Sequence, residues 1–184
     1  MVVLVTAQPV LPGAKNFVIV DSLEEEWLAE VPDLHTDGIP VVARLVRMSY
    51  YIARRVDENL ARFGLNRGEF EVLAVLTRNP GRTITPKILQ EKILISSGGL
   101  SNRIKKLEEK GWLVRRTDPE DRRGVILEAT EAGRELTLRA VTSHVEVERQ
   151  IVGGISPEHR ATLARLLKEL ILTQVGELNR DGLQ

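Results

Sequence analysis

Residues 96–133, SSGGLSNRIKKLEEKGWLVRRTDPEDRRGVILEATEAG, constrain the fold most, because their apolar period changes partway along. Leu100, Ile104 and Leu107 recur at helical spacing, so one face of a helix packs on a core. At about 100° per residue, Ser101, Asn102, Lys105 and Lys106 fall on or near the opposite face. Ser96 suits the N-cap and Gly111 the C-terminal stop. The period then shortens: WLVRRT and GVILEAT read as strands, joined by a turn that Asp118-Pro119 opens. A two-stranded ribbon buries little alone, so its value lies in carrying Arg122 and Arg123 outward at its tip.

The exposed chemistry of this unit suits a nucleic-acid groove. Asn pairs bidentately with adenine, Lys reaches guanine O6 and N7, and Ser bonds bases or phosphates. Two guanidiniums on a hairpin tip suit phosphates or a narrow minor groove. Thr85, Ser97 and Arg115 complete the set expected against DNA, with Ser101, Asn102, Lys105, Lys106, Arg122 and Arg123.

A formal net charge of zero hides this footprint until the charge is divided along the chain. Residues 1–77 carry 7 basic and 11 acidic side chains, residues 78–123 carry 12 and 6, and residues 124–184 carry 7 and 9. A basic centre between acidic arms is the pattern of a nucleic-acid binder. With three Phe, two Tyr and two Trp, the core must be aliphatic. The absence of Cys excludes disulfides, thiolate metal sites and a thiol redox sensor. No run approaches the roughly 18 apolar residues of a membrane span. The opening MVVLVTAQPVLPG lacks the basic start of a signal peptide, so the cytoplasm is the expected location.

Around this centre the chain reads as helices. SLEEEWLAEV predicts a short one with Ser22 as cap, preceded by NFVIVDS, an extended piece or the edge of a core. Val42, Leu45, Val46, Met48, Ile52, Val56, Leu60 and Phe63 trace a long apolar stripe ended by Gly64. Asn66 and Glu69 form a capping-box pattern, and Asn79-Pro80-Gly81 closes the helix that follows. Thr85-Pro86 starts the next, and Thr83-Ile84 is a candidate third strand of the wing sheet. Thr130 caps a long helix to about Val152, and Ser156-Pro157 opens a last one with Leu163, Leu166, Leu167, Leu170 and Ile171 on one face. The expected fold is mainly α with a small β-wing: a winged helix-turn-helix domain plus long N- and C-terminal dimerisation helices. The expected divisions are an extension at 1–22, N-terminal dimerisation helices at 23–63, the winged unit at 64–129, C-terminal dimerisation helices at 130–178 and a tail at 179–184.

The order helix, turn, helix, basic hairpin, together with DRRGVILEATEAG, resembles the MarR family of bacterial regulators. The family pattern has Asp, any residue, Arg, a short spacer, Leu-Thr and then Gly. Asp121, Arg123, Thr130 and Gly133 match it, and Ala129 stands where the Leu is usual. The resemblance implies a homodimer that binds a pseudo-palindromic double-stranded operator, with repression relieved by a ligand. A finer resemblance, to the urate-responsive branch with its extra N-terminal helix, rests on the helix carrying Trp27, the following PDL, LNRGEFEVLAVLTR and SSGGLSNRIKKLEEKG. It implies a site for a small anionic metabolite, urate-like or a carboxylate, at Trp27, Glu71, Arg78 and Arg103. Glu71 stands where that branch commonly carries Asp.

Other readings are weaker. His35, His144 and His159 are scattered, GGLSNR lacks the ending of a phosphate loop, and no catalytic residue or cofactor is expected. Asp33, His35 and Asp37 alternate on a polar stretch that reads as loop before metal site. Trp27 has a bland reading as a helix staple, and Glu71 with Arg103 as a surface ion pair. The alternative function is an architectural DNA-binding protein that ignores ligands.

Overall fold

The structure is a computed structural model and describes residues 19–93, 97–119 and 124–180. Its helices, in order, are α1 (Ile19–Glu30), α2 (Ile39–Ala61), α3 (Arg67–Thr77), α4 (Pro86–Lys92), α5 (Ser97–Glu109), α6 (Glu131–Ile151) and α7 (Pro157–Arg180). Strands β1 (Leu113–Thr117) and β2 (Val125–Ala129) lie between α5 and α6 and pair antiparallel, Leu113 opposite Ala129 and Thr117 opposite Val125. The fold is therefore mainly α with a small β-wing. The chain divides into two compact units, Met1–Arg55 and Val56–Gln184.

In the first unit α1 begins at Ile19, three residues before the expected cap, so Ser22 lies inside the helix. Val20, in the stretch read as either an extended piece or the edge of a core, is helical and buried, which fits the second alternative. The turn after α1 is tied back by the buried Thr36, whose hydroxyl donates to Glu24 Oε1 at 2.7 Å. Along α2, Val41, Val42, Val46, Met48 and Ile52 are exposed, so among the described residues of the first unit this part of its apolar stripe is uncovered.

The second unit is built on α3, which packs against α4, α5, α6 and β2. Its start is fixed by the expected capping box: Asn66 Oδ1 accepts from the Glu69 N–H at 2.9 Å, and Glu69 Oε2 accepts from the Asn66 N–H at 3.3 Å. Phe70, Val72, Leu73, Val75 and Leu76 are all buried, so α3 meets protein on most of its circumference. Around them lie Leu60, Ile84, Leu89, Leu100, Ile104, Leu107, Leu113 and Leu127, an aliphatic core as the composition requires.

Two features of the family signature acquire physical reasons here. The Thr130 hydroxyl accepts from the Gly133 N–H at 3.1 Å and donates to the Gly111 carbonyl at 2.7 Å, joining the start of α6 to the turn after α5. A Cβ on Gly133 would run into the carbonyl of Trp112, so only glycine permits this approach of α6 to the wing. The candidate third strand does not form: Ile84 gives a single backbone bond, its carbonyl accepting from the Leu127 N–H at 2.8 Å, and the sheet has two strands among the described residues.

Candidate nucleic-acid interface

Helices α4 and α5 form the helix-turn-helix. Thr85 caps α4, its Oγ1 accepting from the Ile88 N–H at 3.2 Å, with Pro86 at the first helical position. At the far end of α5, Gly111 adopts a φ of +71°, the Trp112 N–H bonds the Leu107 carbonyl at 2.9 Å and the Gly111 N–H bonds that of Glu108 at 2.9 Å. This pair of bonds is a Schellman stop, and it turns the chain directly into β1.

Leu100, Ile104 and Leu107 are 3%, 2% and 0% exposed, which fixes the rotation of α5 about its axis. Ser101, Asn102, Lys105 and Lys106 are in consequence all exposed on one side. Lys105 meets Glu109 one turn on at 3.8 Å, with both side chains more than 60% exposed, a contact too weak to withdraw it from an incoming phosphate or base. Arg115 is placed otherwise than the sequence alone indicates: its Nε donates to Glu108 Oε2 at 2.9 Å and so ties β1 to α5. A guanidinium has further donors, so that tie orients Arg115 and leaves N–H groups for a phosphate. Thr85 is half-buried and spends an acceptor on its cap. Ser96, Arg122 and Arg123 lie outside the described residues, as does the Ser97 side chain.

The residues proposed for a ligand divide between the two units. In the second, Arg103 Nη1 lies 3.7 Å from Glu71 Oε2, the two side chains 32% and 55% exposed. That ion pair links α5 to α3. Arg78 is the C-cap of α3, two turns beyond Glu71, and is exposed. Trp27 belongs to the first unit, where it is 52% exposed on α1.

Three contributors escaped the sequence reading. Arg116, exposed on the outer face of the wing, donates to Glu128 Oε2 at 2.6 Å across the strand pair. Lys110 Nζ donates to the buried Glu69 at 2.9 Å and to the Gly64 carbonyl at 3.1 Å, fastening the end of α5 to the start of α3. Gly68, buried in the first turn of α3, faces the Arg103 guanidinium. Only the last left a trace in the sequence, a glycine where helix propensity disfavours it.

Among the described residues no group of His, Cys, Asp and Glu is placed to hold a metal ion, and no helix is long and apolar enough to cross a membrane.

A basic helix-turn-helix with a two-stranded wing defines a class, and comparison with known proteins gives its family. The MarR family model matches residues 63–124. The transcriptional regulator PecS of Dickeya dadantii is 34% identical over 161 residues, which cover 85% of this chain and 97% of PecS. The chain belongs to the MarR family of winged helix-turn-helix regulators. Two solved structures share the fold. A mutant MarR from E. coli, complexed with operator DNA, superposes with a TM-score of 0.66 at 24% identity over 75% of this chain and 98% of that one. BpsR of Bordetella bronchiseptica, described as regulated in its DNA binding by 6-hydroxynicotinic acid, gives 0.65 at 23% identity over 74% and 96%.

Proposed function

We propose that this protein is a transcriptional repressor that binds a pseudo-palindromic operator as a homodimer and is released by a small anionic metabolite. The observation that carries DNA binding is the fixed rotation of α5: three core leucine and isoleucine side chains lock one face, and the face left over presents Ser101, Asn102, Lys105 and Lys106 together. Asn102 and Lys105 read base edges, Ser101 and Lys106 hold the backbone, and Arg122 and Arg123, which fall between the two strands in sequence, contact phosphates or the minor groove. Two such units related by a twofold axis match half-sites one helical turn, about 34 Å, apart. Such a regulator works in the cytoplasm, where its DNA lies.

Release follows from the Glu71–Arg103 pair. An anion held by Arg103 and Arg78 repels the Glu71 carboxylate and takes its place on the guanidinium, which frees α5 to tilt. A contact of 3.7 Å between two half-exposed groups is weak enough for a bidentate carboxylate or a urate-like anion to win. Trp27, which belongs to the first unit, is a candidate only through the resemblance to the urate-responsive branch. Titrating the protein into DNA from upstream of its own gene, with urate, xanthine, dicarboxylates and tricarboxylates added in turn, tests the whole reading. Sequence-selective binding lifted by one of these anions is the expected result. Affinity that falls steeply with salt yet ignores every metabolite would replace the reading with that of an architectural, ligand-blind binder.

A further inference from the structure

We propose that Gly68 is a positioning residue for α5, acting by the side chain it lacks; the inference rests on the proposed DNA-binding role. A Cβ built on Gly68 would land within the guanidinium of Arg103, on Cζ, Nε and Nη1. The bare backbone of the first turn of α3 is thus the seat in which that guanidinium rests, with Glu71 beside it as counter-ion at 3.7 Å. The floor under the seat is rigid, because the capping box and the Lys110–Glu69 bond at 2.9 Å pin the same turn. A cation over the N-terminal turn of a helix lies against the field of the helix dipole. The pose is held by shape and by one carboxylate, and it is therefore one that a competing anion can empty. Any side chain at position 68 empties it permanently. The atoms in the way are the far end of a flexible side chain, so the fold absorbs the change and Arg103 alone is displaced.

The test compares wild type, Gly68→Ala, Arg103→Ala and the double variant. In anisotropy titrations with the upstream DNA, each single change weakens binding by a similar factor, roughly fivefold or more, and the double variant is no weaker than either. Gly68→Ala unfolds at or above the wild-type midpoint, since Ala outranks Gly in a helix. The Arg103 Nε–Hε NMR resonance, identified by its loss in Arg103→Ala, moves in Gly68→Ala. Multiplicative losses in the double variant, a Gly68→Ala protein that binds like wild type, or one that melts lower whether or not Arg103 is present would each overturn the inference. If the wild type binds no DNA, the functional reading fails; a moved Nε–Hε resonance then still upholds the seat, and an unmoved one overturns it as well.

Discussion

Thr130 shows how one side chain serves two elements. Its hydroxyl caps α6 and donates to the carbonyl that ends the α5 stop, so removing it frees two backbone partners at once. Thr130→Ala is expected to lower stability by about 1–2 kcal/mol in denaturant titrations. Gly133→Ala forces a Cβ against the Trp112 carbonyl, backbone that cannot swing aside, and is expected to cost about 1–3 kcal/mol in the same measurement. On the proposed DNA face the expectations divide by chemistry. Arg123→Ala should weaken binding to all sequences alike and flatten the salt dependence. Equal salt slopes for variant and wild type would remove it from the phosphate contacts. The residue scale is also where the sequence was least transparent. The exposure of Ser101, Asn102, Lys105 and Lys106 on one side of α5 was legible because three apolar residues fix the helix phase. Arg115 was not, because its partner Glu108 sits across a turn whose geometry no periodicity encodes. Gly68 opposite Arg103 is likewise a contact between helices far apart in sequence.

Among the elements, those with chemical punctuation were legible and those without it were not. Asn66 with Glu69, Thr85 with Pro86, Thr130 and Gly111 mark ends that the structure reproduces. The start of α1 has no such mark that prevails: Ser22 has the side chain of a cap, yet the helix already runs at Ile19. Thr83-Ile84 has strand-forming residues but only one carbonyl bonded to the wing. The long helices carry the proposal of a dimer. Leu163, Leu166, Leu170 and Ile171 of α7 are 41–60% exposed, an apolar stripe left uncovered by the described residues. Leu166→Glu with Leu170→Glu should leave a monomer in sedimentation, and with it lose operator binding; an unchanged dimer would place the interface elsewhere. On α6, Glu146 accepts from Arg149 at 2.7 and 2.8 Å and from Gln150 at 2.9 Å, and these bonds hold its pKa down to about 2. Its folded value lies below the ordinary one of 4.5, so its contribution to stability is complete above that pH and is lost as pH falls towards 2. Glu146→Gln should flatten the acid limb of the unfolding curve in that window. An acid limb unchanged by the substitution would show that the carboxylate is not held.

For the whole molecule, the neutral total charge proves a poor guide and the division along the chain a good one. The excess of 12 basic over 6 acidic side chains falls on residues 78–123, the stretch that holds α4, α5 and the first strand of the wing. The proposed homodimer would present that excess twice along one duplex, which is why affinity is expected to fall steeply with salt. In the proposed reading, sequence preference comes from α5, and that separates a regulator of particular genes from a general DNA coat. The most direct test is the ratio of operator to unrelated-DNA affinity for wild type and for Asn102→Ala with Lys105→Ala, at one salt concentration and with folding verified. At about 1–3 kcal/mol for each base contact, the double variant should lose roughly thirtyfold or more of that ratio while keeping its salt-dependent grip on unrelated DNA. A variant with the wild-type ratio would show that this face of α5 does not read the operator.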